Sequence, residues 1–162
     1  MLKELNCEIL DYSIDRNHWE DLVIAFRKGA PNPDFQDIAK PISKEQILKQ
    51  YFLFKKSMQS MNEYLNSLSD EKVYGYGAAL MLPILCYHLG NELKCLECII
   101  DDDPQKEGFS YINLPVLIRH SSYIEDWRNS IFLITALDHI RKITAKLLKL
   151  SPRRILIPLN LI

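Results

Sequence analysis

The fold of this chain is decided by the sequence Lys72-Val-Tyr-Gly-Tyr-Gly-Ala-Ala-Leu80, together with the apolar run to Gly90 and the segment Leu96-Glu-Cys-Ile-Ile-Asp101 that follow it. This order predicts a strand, a glycine turn, a helix and a second strand with an acidic end. Two glycines between a strand and a helix are typical of the first turn of a βαβ unit that binds a dinucleotide. There Gly75 would permit a tight turn, and Gly77 would let a phosphate or another backbone come close. The following helix would point its free N–H groups at the ligand.

The glycine turn departs from the strict pattern G-x-G-x-x-G/A, because Leu80 occupies the position of the third small residue. The helix after it is therefore expected to tilt or shift outward from the sheet. Asp101 follows Gly77 by 24 positions, at the end of the second strand, where a carboxylate can accept hydrogen bonds from ribose hydroxyls. Two interpretations of the turn stay open: a nucleotide site, or glycines that serve packing alone.

Strands and helices continue to alternate after this unit. We expect the crossover helix at 78–89, strands at 116–118, 130–135 and 155–157, a short helix at 122–129 opened by Ser122 and Glu125, and a last helix at 138–150 capped by Asp138. This alternation predicts an α/β fold, a Rossmann-like parallel sheet of about five strands with helices on both faces. Counted from residue 73, the strand order should be 3-2-1-4-5. A crevice would then open over strands one and four. The residues expected to rim it are Gly75, Tyr76, Gly77, Asp101, Ala136, Leu137 and Asp138.

The N-terminal part of the chain reads as a separate element. Residues 7–14 and 21–26 predict two strands of a β-hairpin, which is marginal in water by itself and needs a host sheet. Prolines at 31, 33 and 41 indicate a linker. The predicted organisation is a hairpin over 1–28, a linker over 29–42 and the Rossmann-like domain over 43–162.

A long helix is predicted to precede the parallel sheet. Ser43 and Gln46 form a capping-box pattern at its start, and it should run to about residue 68. Its apolar residues recur at alternating spacings of four and three, on one stripe: Ile47, Tyr51, Phe54, Met58, Met61, Leu65 and Leu68. This stripe fits either a core face against the sheet or a seam between subunits of a homo-oligomer, and both interpretations stay open.

Composition places the chain among ordinary globular proteins. Its 162 residues are 48% hydrophobic and 25% charged, with a formal net charge of −1. No basic stripe with interleaved aromatics points to a nucleic-acid partner. The first residues lack the apolar core of a signal peptide, and no apolar run reaches the roughly 20 residues that span a bilayer. A cytoplasmic protein with no membrane partner is therefore expected.

The candidate catalytic residues do not form a constellation. The four histidines are scattered along the chain: His18, His88, His120 and His139. Ser121, beside one of them, lacks the glycine elbow of a serine hydrolase. Cys95-x-x-Cys98 would be half a zinc site without a second pair, so buried structural cysteines are the favoured interpretation. The acidic run that starts at Asp101 fits a solvated turn better than a cation site. We predict no catalytic residue and no metal site.

Four segments together resemble a known family: Val73-Tyr-Gly-Tyr-Gly-Ala78, Ile84-Leu-x-Tyr87, Asp101-x-x-Pro104-x-Lys106-x-Gly108 and Leu114-Pro-Val116. They are similar to segments of the C-terminal domain of SAM-dependent sugar C-methyltransferases, and the third is the most specific match. The resemblance covers about residues 44–150. The hairpin is also similar to the one that closes the sheet of a class I methyltransferase domain, which would place the SAM-binding domain ahead of this chain.

The resemblance implies an auxiliary domain that holds a nucleotide or nucleotide-sugar and is not catalytic alone. S-adenosylmethionine would be the cofactor of the full-length protein, with no cofactor in this chain. The residues assigned to substrate binding are Gly75, Tyr76, Gly77, Ala78, Asp101, Lys106 and Asp138. The sequence differs from the family at Ala79-Leu80-Met81, where a lysine-glycine-asparagine step is common, and at Ala136-Leu137, where a tryptophan is common.

Two other functions are compatible with the sequence. An NAD(P)-dependent oxidoreductase would use the same glycine turn, but the acid/base residue that it needs is not evident. A non-catalytic oligomerisation or interaction module would use the apolar stripe of the long helix as a subunit interface.

Overall fold

The computed structural model describes residues 6–15, 21–29 and 43–158 of the chain. The chain divides into two compact units, Met1–Ile47 and Leu48–Ile162. Most of the predicted linker lies outside the described residues. The predicted domain boundaries at 28 and 43 therefore stay predictions.

The first unit contains the expected hairpin. Strand β1 (Cys7–Asp15) pairs antiparallel with β2 (Asp21–Lys28), with a register shift between Ile9 and Asp11. The residues of the connecting turn lie outside the described part. Apolar side chains on both strands are exposed, as expected for a two-stranded sheet: Leu10, Tyr12, Val23 and Phe26.

Helix α1 spans Lys44–Asn66, two residues short of its predicted end. The capping box forms as expected: the Ser43 N–H donates to Gln46 Oε1 at 2.9 Å, and the Gln46 N–H donates to Ser43 Oγ at 3.2 Å. The apolar stripe divides along its length. Its C-terminal half is core, since Met58 is only 1% exposed, whereas Tyr51 in the N-terminal half is 53% exposed.

The second unit is built on a five-stranded sheet in which every neighbouring pair is parallel. The strands are β3 (Val73–Tyr76), β4 (Leu96–Asp101), β5 (Ile118–His120), β6 (Ile131–Ile134) and β7 (Arg154–Leu156). Their spatial order is β5-β4-β3-β6-β7, which confirms the predicted order 3-2-1-4-5. The central strands β3 and β6 are buried throughout, as expected for strands covered on both faces.

Helices α2 (Leu82–Leu89) and α3 (Ile140–Leu150) contribute to the same hydrophobic core as α1 and the strands. Gly90 ends α2 in the left-handed conformation at φ 65°, as predicted for a C-cap. Cys86 in α2 and Cys98 in β4 are buried, and burial raises the pKa of each thiol to about 11. Both therefore pack as small apolar side chains.

Three predicted local features are wrong. Helix α2 begins four residues later than expected, and the Ala78 N–H donates to the Asp101 side chain at the end of β4. The helix expected at 122–129 is a 3₁₀ turn, Ser121–Tyr123, in which His120 Nδ1 accepts from the Ser122 N–H, and Ile124 returns to extended backbone. Asp138 does not cap α3, because it lies within another 3₁₀ turn, Leu137–His139.

None of the helices in the described part of the chain has the length and apolar character needed to cross a membrane.

Candidate functional site

A cavity of about 790 Å³ opens over the carboxyl ends of β3, β4 and β6. This is the point at which the order of the parallel sheet reverses, where ligands of open α/β sheets bind. Its volume lies within the range of about 300–1,000 Å³ that is usual for small-molecule sites. Six of the seven predicted binding residues line it: Tyr76, Gly77, Ala78, Asp101, Lys106 and Asp138. The sequence therefore predicted the location of the cavity.

Gly75 is the predicted site residue that does not line the cavity. It lies inside β3, and a Cβ atom there would stand 3.1 Å from the Ile99 side chain and 3.2 Å from that of Thr135. The expected tight turn at Gly75 is therefore wrong: this glycine serves close packing within the sheet. Leu137, also expected at the rim, is buried beneath it.

Gly77 forms the turn itself, at φ 97°. Its N–H donates to the Ile100 carbonyl at 2.8 Å, and its carbonyl accepts from Thr135 Oγ1 at 2.7 Å. A Cβ atom would stand 2.4 Å from the Cβ of Ala136. The turn is thus fixed between β4 and β6, and only glycine fits both the conformation and the space.

Asp101 supports the same turn from β4. Its Oδ2 accepts from the Ala78 N–H at 2.8 Å and from Lys106 Nζ at 3.0 Å, and its Oδ1 accepts from the Asp103 N–H at 3.0 Å. The side chain is only 12% exposed. Three of the roughly four acceptor sites of the carboxylate are occupied within the chain. In this structure Asp101 therefore stabilises the turn, and its contact with a ribose stays a prediction.

The segment from Asp101 to Gly108, the most specific part of the resemblance, forms a clamp. Lys106 Nζ donates to the Ala78 carbonyl and to Asp101, both at 3.0 Å. Asp103 caps the short 3₁₀ turn Pro104–Lys106 by accepting from the Gln105 N–H. Gly108, at φ 81°, donates its N–H to the Ile118 carbonyl. The segment thus ties the loop after β3 to the ends of β4 and β5.

Replacing Lys106 by methionine tests this clamp. We expect the free energy of unfolding to fall by about 1 kcal/mol, because two hydrogen bonds from an ammonium group are lost but the group is partly exposed to solvent. Chemical denaturation measures the change. Lys94→Met is the matched control, since Lys94 pairs with Glu92 on the open surface and should cost less than about 0.5 kcal/mol. If the two substitutions lower the free energy of unfolding equally, the hydrogen bonds of Lys106 do not stabilise this segment.

A second network crosses the floor of the cavity and was not predicted. The Tyr76 hydroxyl donates to the Asp102 carboxylate at 3.0 Å. Lys146, from α3, pairs with the same carboxylate and lies 5.6 Å from the centre of the Tyr76 ring. Burial alone would raise the pKa of Asp102, but hydrogen bonds from Lys146 and Tyr76 outweigh it and hold the pKa below its ordinary value. Burial raises the pKa of Tyr76, so its phenol stays neutral.

Helix α3 forms one wall of the cavity with His139, Lys142, Ile143 and Lys146. Their spacing of three, four and seven puts them on one face of the helix. This spacing was readable in the sequence, but nothing there showed that the face meets the ends of β3 and β4. Beside it, Asp138 Oδ1 is buried without a hydrogen-bond partner in the described part of the chain, and Oδ2 lies 3.8 Å from His139 Nε2.

Apolar side chains lie at the mouth of the cavity. Leu80 is 94% exposed, and Phe109 is also exposed. The Tyr111 hydroxyl donates to the Ala79 carbonyl at 2.9 Å and holds the backbone next to Leu80. The cavity therefore presents apolar contacts on one side and charged groups on the other.

The expected placement of a helix N-terminus over the ligand is wrong. None of residues 81–85, the first turn of α2, lines the cavity. The N–H groups of Gly77 and Ala78 also have partners within the chain. These two N–H groups are therefore not available to a phosphate as they would be in a dinucleotide-binding turn.

The other candidate catalytic groups make local contacts. His120 Nδ1 lies 2.9 Å from Ser122 Oγ at an exposed turn, and Glu107 binds the His120 backbone N–H, not the ring. Among the residues that the structure describes, no group of three or more His, Cys, Asp or Glu side chains could hold a metal ion.

The fold and the cavity define a Rossmann-like α/β domain with an open crevice at the point where the sheet order reverses. The chain belongs to the family of C-methyltransferase C-terminal domains, since the model of that family matches residues 32–154. This match confirms the resemblance seen in the sequence and supports an auxiliary, methyltransferase-associated role. No curated protein matches the chain.

Proposed function

We propose that this domain binds a nucleotide or nucleotide-sugar in the crevice and holds it for a methyl transfer carried out by a separate SAM-binding domain. The observation that carries the proposal is the cavity of about 790 Å³ at the switch point of the sheet. Family membership supports it independently. A cavity of this size accommodates a ligand with a base, phosphates and a sugar.

The walls of the crevice are held in place before any ligand arrives. Asp101 and Lys106 fix the loop at Ala78, and Thr135 fixes the turn at Gly77. Binding to a preorganised site loses less conformational entropy, so more of the contact energy contributes to affinity. Positioning of a substrate is a contribution to catalysis that needs no acid or base in this domain.

Three polar groups of the crevice are engaged within the chain, although His139 also lines it. The carboxylates of Asp101 and Asp102 are each engaged by a lysine, and the Tyr76 phenol is neutral because burial raises its pKa. None of these three is therefore a ready general base at neutral pH. This supports a domain that is not catalytic alone.

S-adenosylmethionine is assigned to the separate domain, as the family resemblance implies, and no cofactor is assigned to this chain.

Calorimetry with UDP-glucose, dTDP-glucose, GDP-mannose and NAD tests the proposal. We expect at least one nucleotide-sugar to bind and NAD to bind more weakly, because the Gly77 and Ala78 N–H groups, which would contact a dinucleotide's pyrophosphate, are occupied within the chain. Leu80→Glu should weaken binding about tenfold, since it replaces an apolar contact at the mouth of the crevice by a carboxylate without disturbing the fold.

Ile112→Glu is the matched control, because Ile112 is fully exposed and does not line this cavity. It should leave the affinity unchanged. The proposal is wrong if no nucleotide-sugar binds. NAD binding more tightly than every nucleotide-sugar would favour the oxidoreductase instead.

An interaction module remains a second candidate, because one observation favours it. The N-terminal half of α1 exposes several apolar side chains: Ile47, Leu48, Tyr51, Phe52 and Leu53. Such a patch is typical of a protein–protein contact. A homo-oligomer formed through it would be compatible with the crevice, since α1 contributes no residue to the cavity.

A further inference from the structure

The charged groups that line the crevice are not equally available to a ligand. Lys106 is paired with Asp101, and Lys146 is paired with Asp102. Lys142 also lines the cavity but makes no ion pair or hydrogen bond with any residue that the structure describes. Its ammonium is therefore the cation of this wall whose donors are still free.

A second group beside Lys142 also lacks a partner. Asp138 Oδ1 is buried and accepts no hydrogen bond from the described part of the chain, although Asp138 lines the cavity. The Asp138 side chain as a whole is 42% exposed, so a ligand hydroxyl in the cavity can donate to its carboxylate. Asp138 lies just before α3 and Lys142 in its first turn, and both line the cavity.

At the glycine turn, two N–H groups are already used within the chain. The Gly77 N–H donates to Ile100 and the Ala78 N–H donates to Asp101. The first turn of α2 does not line the cavity. A phosphate at this turn would therefore find fewer donors than in a dinucleotide-binding turn.

We propose that the ligand lies in the crevice with its phosphate against Lys142 on α3, and with a hydroxyl of its sugar donating to Asp138. The inference rests on the proposed function and deepens it. The phosphate contact then comes from a side chain of α3 instead of from the backbone N–H groups of the glycine turn. The apolar mouth formed by Leu80 and Phe109 is left for the less polar part of the ligand. Phosphates and hydroxyls are the groups that an ammonium and a carboxylate recognise.

Calorimetry on the whole chain with UDP and with uridine tests the phosphate contact. Lys142→Gln should weaken UDP binding about tenfold or more and leave uridine binding unchanged, because only UDP carries phosphates. The salt dependence of UDP binding should fall in the same variant, as expected when one ionic contact is removed. The fold should be unaffected, since Lys142 is exposed and contributes no contact to it.

Lys149→Gln is the matched control, because Lys149 is exposed on the same helix and does not line the cavity. If the natural sequence binds UDP and both variants bind it equally well, the inference is wrong while the proposed function stands. If the natural sequence binds neither UDP nor any nucleotide-sugar, the proposed function itself fails. An Asp138→Ala variant should weaken the binding of a nucleotide-sugar more than the binding of the matching nucleotide. An equal loss of affinity for both ligands would contradict the proposed contact between the sugar hydroxyl and Asp138.

Discussion

Replacing Gly77 by alanine is expected to lower the free energy of unfolding by about 3 kcal/mol or more, from overpacking and backbone strain together. The new Cβ would stand 2.4 Å from the Cβ of Ala136 and 3.1 Å from the Ile143 side chain. Ala136 cannot withdraw easily, because it lies two residues after β6 and is itself buried. The residue would also have to keep φ 97°, which an L side chain rarely adopts.

The matched control is Gly108→Ala. Gly108 also has a positive φ, 81°, but a Cβ atom there would meet no heavy atom within 4 Å. It should cost only the backbone strain, about 1 kcal/mol. Chemical denaturation of both variants separates the steric clash from the strain. Equal losses for the two would show that Ala136 does not confine the turn.

Met58→Glu is expected to produce the second large effect, a loss of about 4 kcal/mol or more, which is a large part of the stability of a typical domain. Met58 is almost completely buried in the core that α1 shares with the sheet. The substitution removes an apolar side chain and introduces a carboxylate where water is excluded. Circular dichroism during urea denaturation measures the loss.

Tyr51→Glu is the control on the same helix, two turns earlier and more than half exposed. It should change the free energy of unfolding by less than about 0.5 kcal/mol. Sedimentation of this variant also tests the exposed half of the stripe as a subunit seam: a change from dimer to monomer would support the seam. A Met58→Glu protein that stays folded as a monomer would mean that the buried half is a seam as well.

The apolar stripe shows why its role could not be chosen from the sequence. One periodic pattern runs through the whole of α1, yet Met58 and Leu65 are buried in the core, while Ile47 and Tyr51 are exposed. Periodicity reports which residues share a face of a helix, but it does not report where the sheet beneath that face ends.

The local errors lie where contacts differ from local patterns. The Ala78 N–H donates to Asp101, 23 residues further along the chain, and α2 begins only at Leu82. The Ser122 N–H donates to His120, and the 3₁₀ turn there ends at Tyr123. Propensity and capping patterns describe local preferences, which tertiary context overrides.

The sequence by itself determined the parallel α/β architecture, the strand order and the place of the crevice. Strands buried on both faces, glycines at the end of the first and right-handed connections leave few arrangements. Only the tertiary structure decided which groups in the crevice are free. Asp101 and Lys106 neutralise each other across the loop at Ala78, and Lys142 is brought to the cavity by the packing of α3. Hydrogen bonds between residues distant in the chain use up donors and acceptors, and the sequence alone does not show which ones remain.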